Sequence, residues 1–133
     1  MKIKHLNNSF FQLKTKKMNV VCDPWLGKMD STANWSYPNT NPDLNIIKKL
    51  NPDVIYISHL HTDHYDEKLL KNFKNKKTKI IIKNFPDKKL KKMLNNLGFF
   101  NIQEVEAWKS YSIRDLEFTL IPMESGNSAG LPQ

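Results

Sequence analysis

In the first 25 residues, the apolar positions fall into three short runs that polar stretches separate. The runs are KIKHL, SFFQLK and NVVCDPW, separated by the polar stretches NNS and TKKMN. Short runs rich in β-branched and aromatic residues predict strands, and their close spacing predicts an antiparallel meander. We therefore expect the chain to begin at the antiparallel edge of a sheet.

After this region the pattern changes to helices that alternate with strands. Asn41 and Pro42 predict the start of a short helix with an apolar stripe of Leu44, Ile47 and Leu50. The continuous apolar runs DVIYIS and KIIIK have the length of buried strands, and FFNIQEVE, SYSI and LEFTLIP predict more. Asp66 predicts the cap of a second helix, and Pro86 predicts the start of a third that ends at Gly98. The inward-facing positions of these helices are Leu69, Leu70, Phe73, Leu90, Met93, Leu94 and Leu97.

Strands that are followed by alternating helices and strands predict an α/β fold with layered α+β character, in which helices cover one sheet face. No repeat or Gly/Ser-rich linker divides the chain, so residues 1–133 are expected to form one domain. Residues 27–42 lack a period and predict a long loop. Trp25, Trp35 and Tyr37 could line a substrate entrance or cover the core, and for Trp25 we favour the core.

Composition and sequence limit the cellular compartments in which the chain is expected. A hydrophobic content of 39% argues against wholesale disorder, and no run of about 18 apolar residues predicts a membrane span. The N-terminus lacks the apolar core of a signal peptide. Cys22 is the single cysteine and cannot form an internal disulfide, so a buried thiol in a reducing cytoplasm is expected.

The net charge of +8 raises the question of a nucleic-acid partner. Arg114 is the single arginine, so nearly all of the positive charge comes from lysine, which lacks the planar fork used in bidentate contacts. The densest lysines, Lys71 to Lys92, alternate with apolar positions at helical spacing. We therefore favour solvated helix faces over a nucleic-acid-binding patch.

The stretch SHLHTDHYD contains three of the four histidines. On an extended segment His59, His61 and Asp63 would face one way and His64 another. Imidazole and carboxylate groups are typical ligands of zinc, and they also suit iron or manganese. The alternative is a solvent-exposed loop, but this density directly after a buried strand favours a divalent metal site.

The pattern His59-x-His61-x-Asp63-His64, preceded by VVCDPWLG, resembles the HxHxDH signature of the metallo-β-lactamase superfamily. CDPWLG and NWSYP are most similar to the branch that contains L-ascorbate-6-phosphate lactonases and CMP-N-acetylneuraminate hydroxylases. The resemblance implies an αββα sandwich, and this chain resembles its N-terminal half.

By this resemblance, His59 and His61 would hold one metal ion and Asp63 and His64 a second, with zinc expected in both places. Asp23 would orient these ligands without binding a metal ion itself. The implied activity of the full domain is hydrolytic: a metal-bound hydroxide cleaves an ester, lactone or phosphoester bond in a small molecule, including phosphorylated ones. Asp63 would be the catalytic group that guides the proton of the hydroxide.

Two departures from the family pattern bear on this expectation: the later ligands are missing, and the chain resembles only one half of the sandwich. Family members complete the site with a third histidine, a bridging aspartate and a last histidine, but no histidine follows His64. The corresponding turn offers Glu124, Ser125 and Asn127. Either the sequence is truncated at its C-terminus, or a homo-oligomer completes the sandwich. His5 is expected to be a surface or packing residue.

Three other functions remain open. The first is a non-catalytic module that keeps the fold without a complete metal site. The second is a part of an oxygenase, although the Cys/His motif of a Rieske cluster is absent from the sequence. Nucleic-acid processing is the third, and the lysine-dominated charge argues against it.

Overall fold

The computed structural model describes residues 1–27 and 43–122 of the 133-residue chain. Several sequence expectations lie outside these ranges: Trp35, Tyr37, Asn41, Pro42, Glu124, Ser125 and Asn127. Within the described residues, the helices are all too short or too polar to cross a membrane.

In the described part of the chain, six strands form one sheet, and their order in space is their order in the chain. They are β1 (Lys2–Asn7), β2 (Phe10–Lys14), β3 (Asn19–Cys22), β4 (Val54–Tyr56), β5 (Lys79–Lys83) and β6 (Ile102–Val105). Pairing is antiparallel from β1 to β3 and parallel from β3 to β6. The predicted antiparallel edge is confirmed, and the parallel strands bring their carboxyl ends to one edge of the sheet.

Three helices connect the parallel strands: α1 (Ile46–Leu50), α2 (Glu67–Asn72) and α3 (Lys89–Asn96). They pack on one sheet face, where Ile55 and Ile80 meet the helix residues Ile47, Leu70 and Leu90 in a buried core. Full burial of each such side chain contributes about 1.5–3 kcal/mol to folding. The predicted α/β layering, with helices on one face, is confirmed.

Helix boundaries follow the local chemistry and correct two predictions. The Asp66 Oδ1 atom accepts a hydrogen bond from the Leu69 amide at 3.1 Å, so the predicted cap of α2 is confirmed. Pro86 does not begin α3, because it lies in a turn in which the Lys88 amide donates to the Phe85 carbonyl. Leu44 precedes α1 and is 40% exposed, so it does not belong to the predicted apolar stripe. Gly98 follows α3 with a φ of +95°, as predicted.

The opposite sheet face packs against the hairpin of β7 (Ser110–Ile113) and β8 (Leu116–Thr119). Val20, Cys22 and Val54 contribute to the apolar cluster between them, beside a cavity of about 340 Å³. The Cys22 thiol is buried, and burial followed by the charge of Asp23 raises its pKa to about 12. The predicted buried thiol is thus confirmed. Trp25, only 3% exposed, belongs to the buried residues as well.

Candidate functional site

The candidate site lies where β3 and β4 end. Asp23 directly follows β3, and Ser58 and His59 follow β4 within a few residues. Because the two strands are parallel, both segments emerge at the same sheet edge. The Asp23 amide donates to the Tyr56 carbonyl at 2.9 Å, which continues the strand pairing up to the site.

Asp23 is the centre of the hydrogen-bond network at this edge. Its φ of 43° lies in the left-handed region, which aspartate tolerates better than most residues. Oδ1 accepts a hydrogen bond from the Ser58 amide at 2.7 Å, and Oδ2 accepts from the Ser58 hydroxyl at 2.7 Å. The Nδ1 atom of His64 lies 2.7 Å from Oδ2. Because a carboxylate only accepts, Nδ1 is the protonated nitrogen of this ring.

The histidine segment leaves β4 and then turns. The His61 carbonyl accepts hydrogen bonds from the amides of His64 and Tyr65, both at 2.9 Å. This turn brings the His64 ring back to His59, with 4.2 Å between ring centroids, while the centroids of His59 and His61 are 4.5 Å apart. The expectation that His64 points elsewhere is therefore wrong, because it assumed an extended chain.

The surroundings push the pKa values of two neighbouring histidines in opposite directions. Burial, followed by the charges of His64 and His61, lowers the pKa of His59 to about 4, so this ring is neutral at physiological pH. Burial alone would lower the pKa of His64, but the hydrogen bond to Asp23 and the charges of Asp23 and Asp63 raise it. The site thus places the neutral ring of His59 beside the ring of His64, whose protonated form is favoured.

The turn between β1 and β2 also reaches the site. The Asn8 side-chain amide donates to Asp63 Oδ2 at 2.9 Å, and the Ser9 hydroxyl lies 3.4 Å from His64 Nε2. His5 is exposed and its Nε2 lies 2.7 Å from the Asn8 carbonyl, in agreement with the expected surface role. The sequence reasoning missed Asn8, Ser9 and Ser58. For the first two, the only signal was the polar stretch NNS between two strands.

The side chains at the site carry nitrogen and oxygen atoms of the kinds that bind divalent cations. Nδ1 of His59 lies 2.8 Å from the Ser58 hydroxyl and Nδ1 of His64 is bonded to Asp23, so Nε2 is the candidate ligand atom on both rings. The structure buries Asp63 and half-buries His61 beside them. Across residues 1–27 and 43–122, however, three or more His, Cys, Asp or Glu side chains are nowhere gathered as a group that could hold one ion.

Comparison with known families identifies the superfamily of the chain. The family model described as "Beta-lactamase superfamily domain" matches residues 2–133. The chain therefore belongs to the β-lactamase superfamily, and the resemblance inferred from the sequence is confirmed.

Relatives in this family carry different names. A UPF0173 metal-dependent hydrolase of Methanobrevibacter smithii is 26% identical over 123 residues, which cover 91% of this chain and 44% of the relative. A protein of Mycolicibacterium smegmatis named for a Rieske 2Fe-2S iron-sulfur cluster is 28% identical over 129 residues, 94% of this chain and 25% of that protein. The human inactive cytidine monophosphate-N-acetylneuraminic acid hydroxylase is 30% identical over 82 residues, 62% of this chain and 16% of the relative. The chain thus spans less than half the length of these relatives.

Solved structures show the same fold. A protein described as a possible metal-dependent hydrolase from Veillonella parvula superposes with a TM-score of 0.66 at 18% identity, over 86% of this chain and 45% of that one. The diiron β-hydroxylase CmlA from Streptomyces venezuelae gives a TM-score of 0.68 at 18% identity, over 91% of this chain and 23% of CmlA. The isothiocyanate hydrolase from Delia radicum gut bacteria gives 0.61 at 22% identity, over 86% and 44%. The mixed α/β structure of this chain matches about half of each hydrolase.

Proposed function

We propose that the chain carries part of the active site of a metal-dependent hydrolase. His59 and His61 would bind one divalent cation, and Asp63 and His64 a second. The reaction would be the cleavage of an ester, lactone or phosphoester bond in a small molecule. The observation that carries this proposal is the Asp23 carboxylate, which holds both Ser58 and the His64 ring at 2.7 Å.

The hydrogen bonding of Asp23 supports a ligand role for His64. Histidines that bind metals almost always donate their second ring N–H to a carboxylate, a carbonyl or water, which fixes the tautomer and the orientation of the ring. Asp23 accepts from Nδ1 in this way. Nε2 is then the nitrogen that is directed toward a cation, and Ser58 anchors the carboxylate that directs it.

The charges at the site support a role for the other ligands. The His59 ring is neutral, since burial and the neighbouring rings lower its pKa to about 4, and a neutral imidazole offers a lone pair to a cation. Asp63 contributes a negative charge close to His64, with 3.6 Å between its Oδ2 and Nε2. Two bound divalent ions would lower the pKa of an attacking water and stabilise negative charge on the reacting oxygen. Asp63 would accept the proton of that water.

The names of the relatives set the range of metals and reactions to test. Two of the similar proteins are named as metal-dependent hydrolases and one as an isothiocyanate hydrolase, which supports hydrolysis. The diiron β-hydroxylase and the protein named for a Rieske cluster make iron a candidate beside zinc and manganese. A homo-oligomer that completes the sandwich, the alternative to a truncated sequence, stays a prediction, and so does the cytoplasmic location.

The experiment combines metal loading with mutation. The purified chain is incubated with Zn²⁺, Mn²⁺ or Fe²⁺ under anaerobic conditions, desalted, and analysed by elemental analysis. We expect bound metal in the wild type and a loss of it in His59→Ala and His61→Ala. Thr62→Ala is the matched control, because it changes an exposed side chain of the same turn. A wild type that retains none of the three metals would contradict the proposal.

Activity is measured on the loaded protein with a panel of p-nitrophenyl esters, a γ-lactone and bis(p-nitrophenyl) phosphate. Hydrolysis that requires metal and is lost in His59→Ala supports the proposal and names the bond type. A second candidate function is a non-catalytic module, favoured by the lack of a three-donor group among the described residues. Metal binding without turnover of any panel compound would favour that candidate.

A further inference from the structure

We propose that Asn8 is a positioning residue that fixes the orientation of the Asp63 carboxylate for metal binding. This role rests on the proposed function, because it concerns a candidate ligand of that site. The two residues are 55 positions apart in the sequence, and the Asn8 Nδ2 atom donates to Asp63 Oδ2 at 2.9 Å.

The backbone around Asn8 explains how the side chain reaches the site. Asn7 pairs with Phe10, so Asn8 and Ser9 form the loop that joins β1 to β2. Asn8 has a φ of 43°, a conformation that asparagine adopts several-fold more often than most residues. His5 also contacts the Asn8 carbonyl through Nε2 at 2.7 Å, which links this turn to β1. The backbone of the turn is thus held by contacts other than that of the Asn8 side chain with Asp63.

The chemistry of the contact favours a cation at Asp63. A carboxylate has two oxygens and can rotate, and a donor on one oxygen restricts which lone pairs face a ligand. The amide of Asn8 is neutral, so it orients Asp63 without cancelling its charge. A lysine would have cancelled that charge, and the chain contains 21 lysine and arginine residues. A neutral donor at this place keeps the negative charge of Asp63 available to an incoming ion.

The neighbouring residue acts on the second candidate ligand. The Ser9 hydroxyl lies 3.4 Å from Nε2 of His64, whose opposite nitrogen is bonded to Asp23. The β1–β2 turn therefore borders both members of the Asp63–His64 pair. Mutation of residues that hydrogen-bond to metal ligands typically costs about 10- to 100-fold in metal affinity.

The test uses two substitutions that make the same chemical change. Asn8→Gly keeps the left-handed backbone and removes the amide. Asn51→Gly also removes a side-chain amide at a residue of positive φ, which is 50° there. Asn51 caps the C-terminus of α1 at the opposite end of the sheet, so this variant is the matched control. Both variants are titrated with Co²⁺, whose d–d absorption reports the number and geometry of its ligands, and their melting temperatures are compared.

We expect Asn8→Gly to weaken Co²⁺ binding about 10-fold and to change the d–d spectrum. Asn51→Gly should keep the affinity and spectrum of the wild type. Wild-type affinity and an unchanged spectrum in Asn8→Gly would overturn the proposal, as would the same loss of affinity in both variants.

A second measurement separates this proposal from the proposed function. In the metal-free protein, Asn8→Gly should shift the ¹³Cγ resonance of Asp63 at constant pH, and Asn51→Gly should leave it in place. If the wild type binds no Co²⁺, the metal site of this chain is refuted, and the ¹³Cγ resonance alone decides whether Asn8 orients Asp63. An unchanged resonance in Asn8→Gly overturns the proposal in that case.

Discussion

The two ends of β3 solve the same structural problem with different chemistry. At the amino end, Nδ2 of Asn19 donates to the carbonyls of Leu50 at 2.7 Å and Asn51 at 2.8 Å. Its Oδ1 accepts from the Gln12 amide at 2.8 Å. At the carboxyl end, Asp23 holds Ser58 and His64. Each side chain ties β3 to the segment that flanks β4.

The difference lies in what each residue holds. The side chain of Asn19 is neutral, and its hydrogen bonds join two backbone carbonyls and another side-chain amide, none of which titrates. Asp23 is charged, and it raises the pKa of the histidine that it holds. The comparison teaches that an ionised acceptor at a strand end shifts the pKa of the side chain that it holds, whereas a neutral side chain at the other end only joins segments of the chain.

The first prediction concerns the carboxyl end. Asp23→Asn should lower the free energy of unfolding by about 3 kcal/mol, because an amide NH₂ replaces an acceptor that serves charged and backbone donors. Urea denaturation measures the change, and metal loading of the same variant should fall. Wild-type stability in this variant would contradict the role of Asp23, because its substitution would then have no larger effect than that of a surface residue.

The second prediction concerns the amino end. Asn19→Ala should cost about 2 kcal/mol of unfolding free energy, since it removes two donors to backbone carbonyls and one acceptor. Metal content after loading should remain that of the wild type. If Asn19→Ala also abolished metal retention, the two ends could not be distinguished by their chemistry.

The third prediction moves to a charged contact away from β3. Burial alone would raise the pKa of Glu104, but the hydrogen bonds and charges of Lys88 and Lys91 lower it. A folded-state pKa below the unfolded value gives stability that is present above the unfolded pKa of about 4.3 and is lost as the pH falls through the folded pKa. Glu104→Gln should therefore reduce stability at neutral pH, and its difference from the wild type should disappear in strong acid.

The expected effect of Glu104→Gln on stability is smaller than that of Asn19→Ala. Surface ion pairs contribute about 0–1 kcal/mol, and the two lysines are 40% and 39% exposed. Thermal melts from neutral pH to acid should thus show a smaller shift for Glu104→Gln than for Asn19→Ala. A larger shift would mean that charge stabilises this fold well away from the site.

The smallest predicted effect is the coupling between the two ends. Asn19 and Asp23 are separated by the length of β3, about 13 Å at the rise of a strand. Their substitutions should add within about 0.5 kcal/mol, because distant sites without shared partners are independent. A double-mutant cycle by urea denaturation measures this. A coupling above 1 kcal/mol, well outside that additivity range, would show that β3 transmits strain between its ends.

The sequence predicts the structure where the determining interactions are local. Period and run length predicted the strands, and Asp66 predicted the start of α2, because caps and alternation depend on neighbouring residues. The histidine cluster was evident from its spacing. The role of Asp23 came from resemblance, and the structure adds the contacts through which it could act.

The parts that could not be predicted depend on distant contacts. Alternation along a strand applies only while the chain is extended, so the turn at His61 reversed the expected direction of His64. Asn8 meets Asp63 because a hairpin at the sheet edge reaches the strand ends, and no local pattern encodes that distance. Pro86 was compatible with both a helix start and a turn, and the chain uses it in the turn.

The buried thiol of Cys22 provides a built-in reporter for the site. It directly precedes Asp23, it is the single cysteine of the chain, and its pKa of about 12 suppresses the thiolate that alkylating reagents attack. Burial and the raised pKa slow the reaction of this thiol with iodoacetamide in the folded chain, and opening of β3 removes both effects. A rise in the alkylation rate therefore reports opening next to Asp23, without any added label.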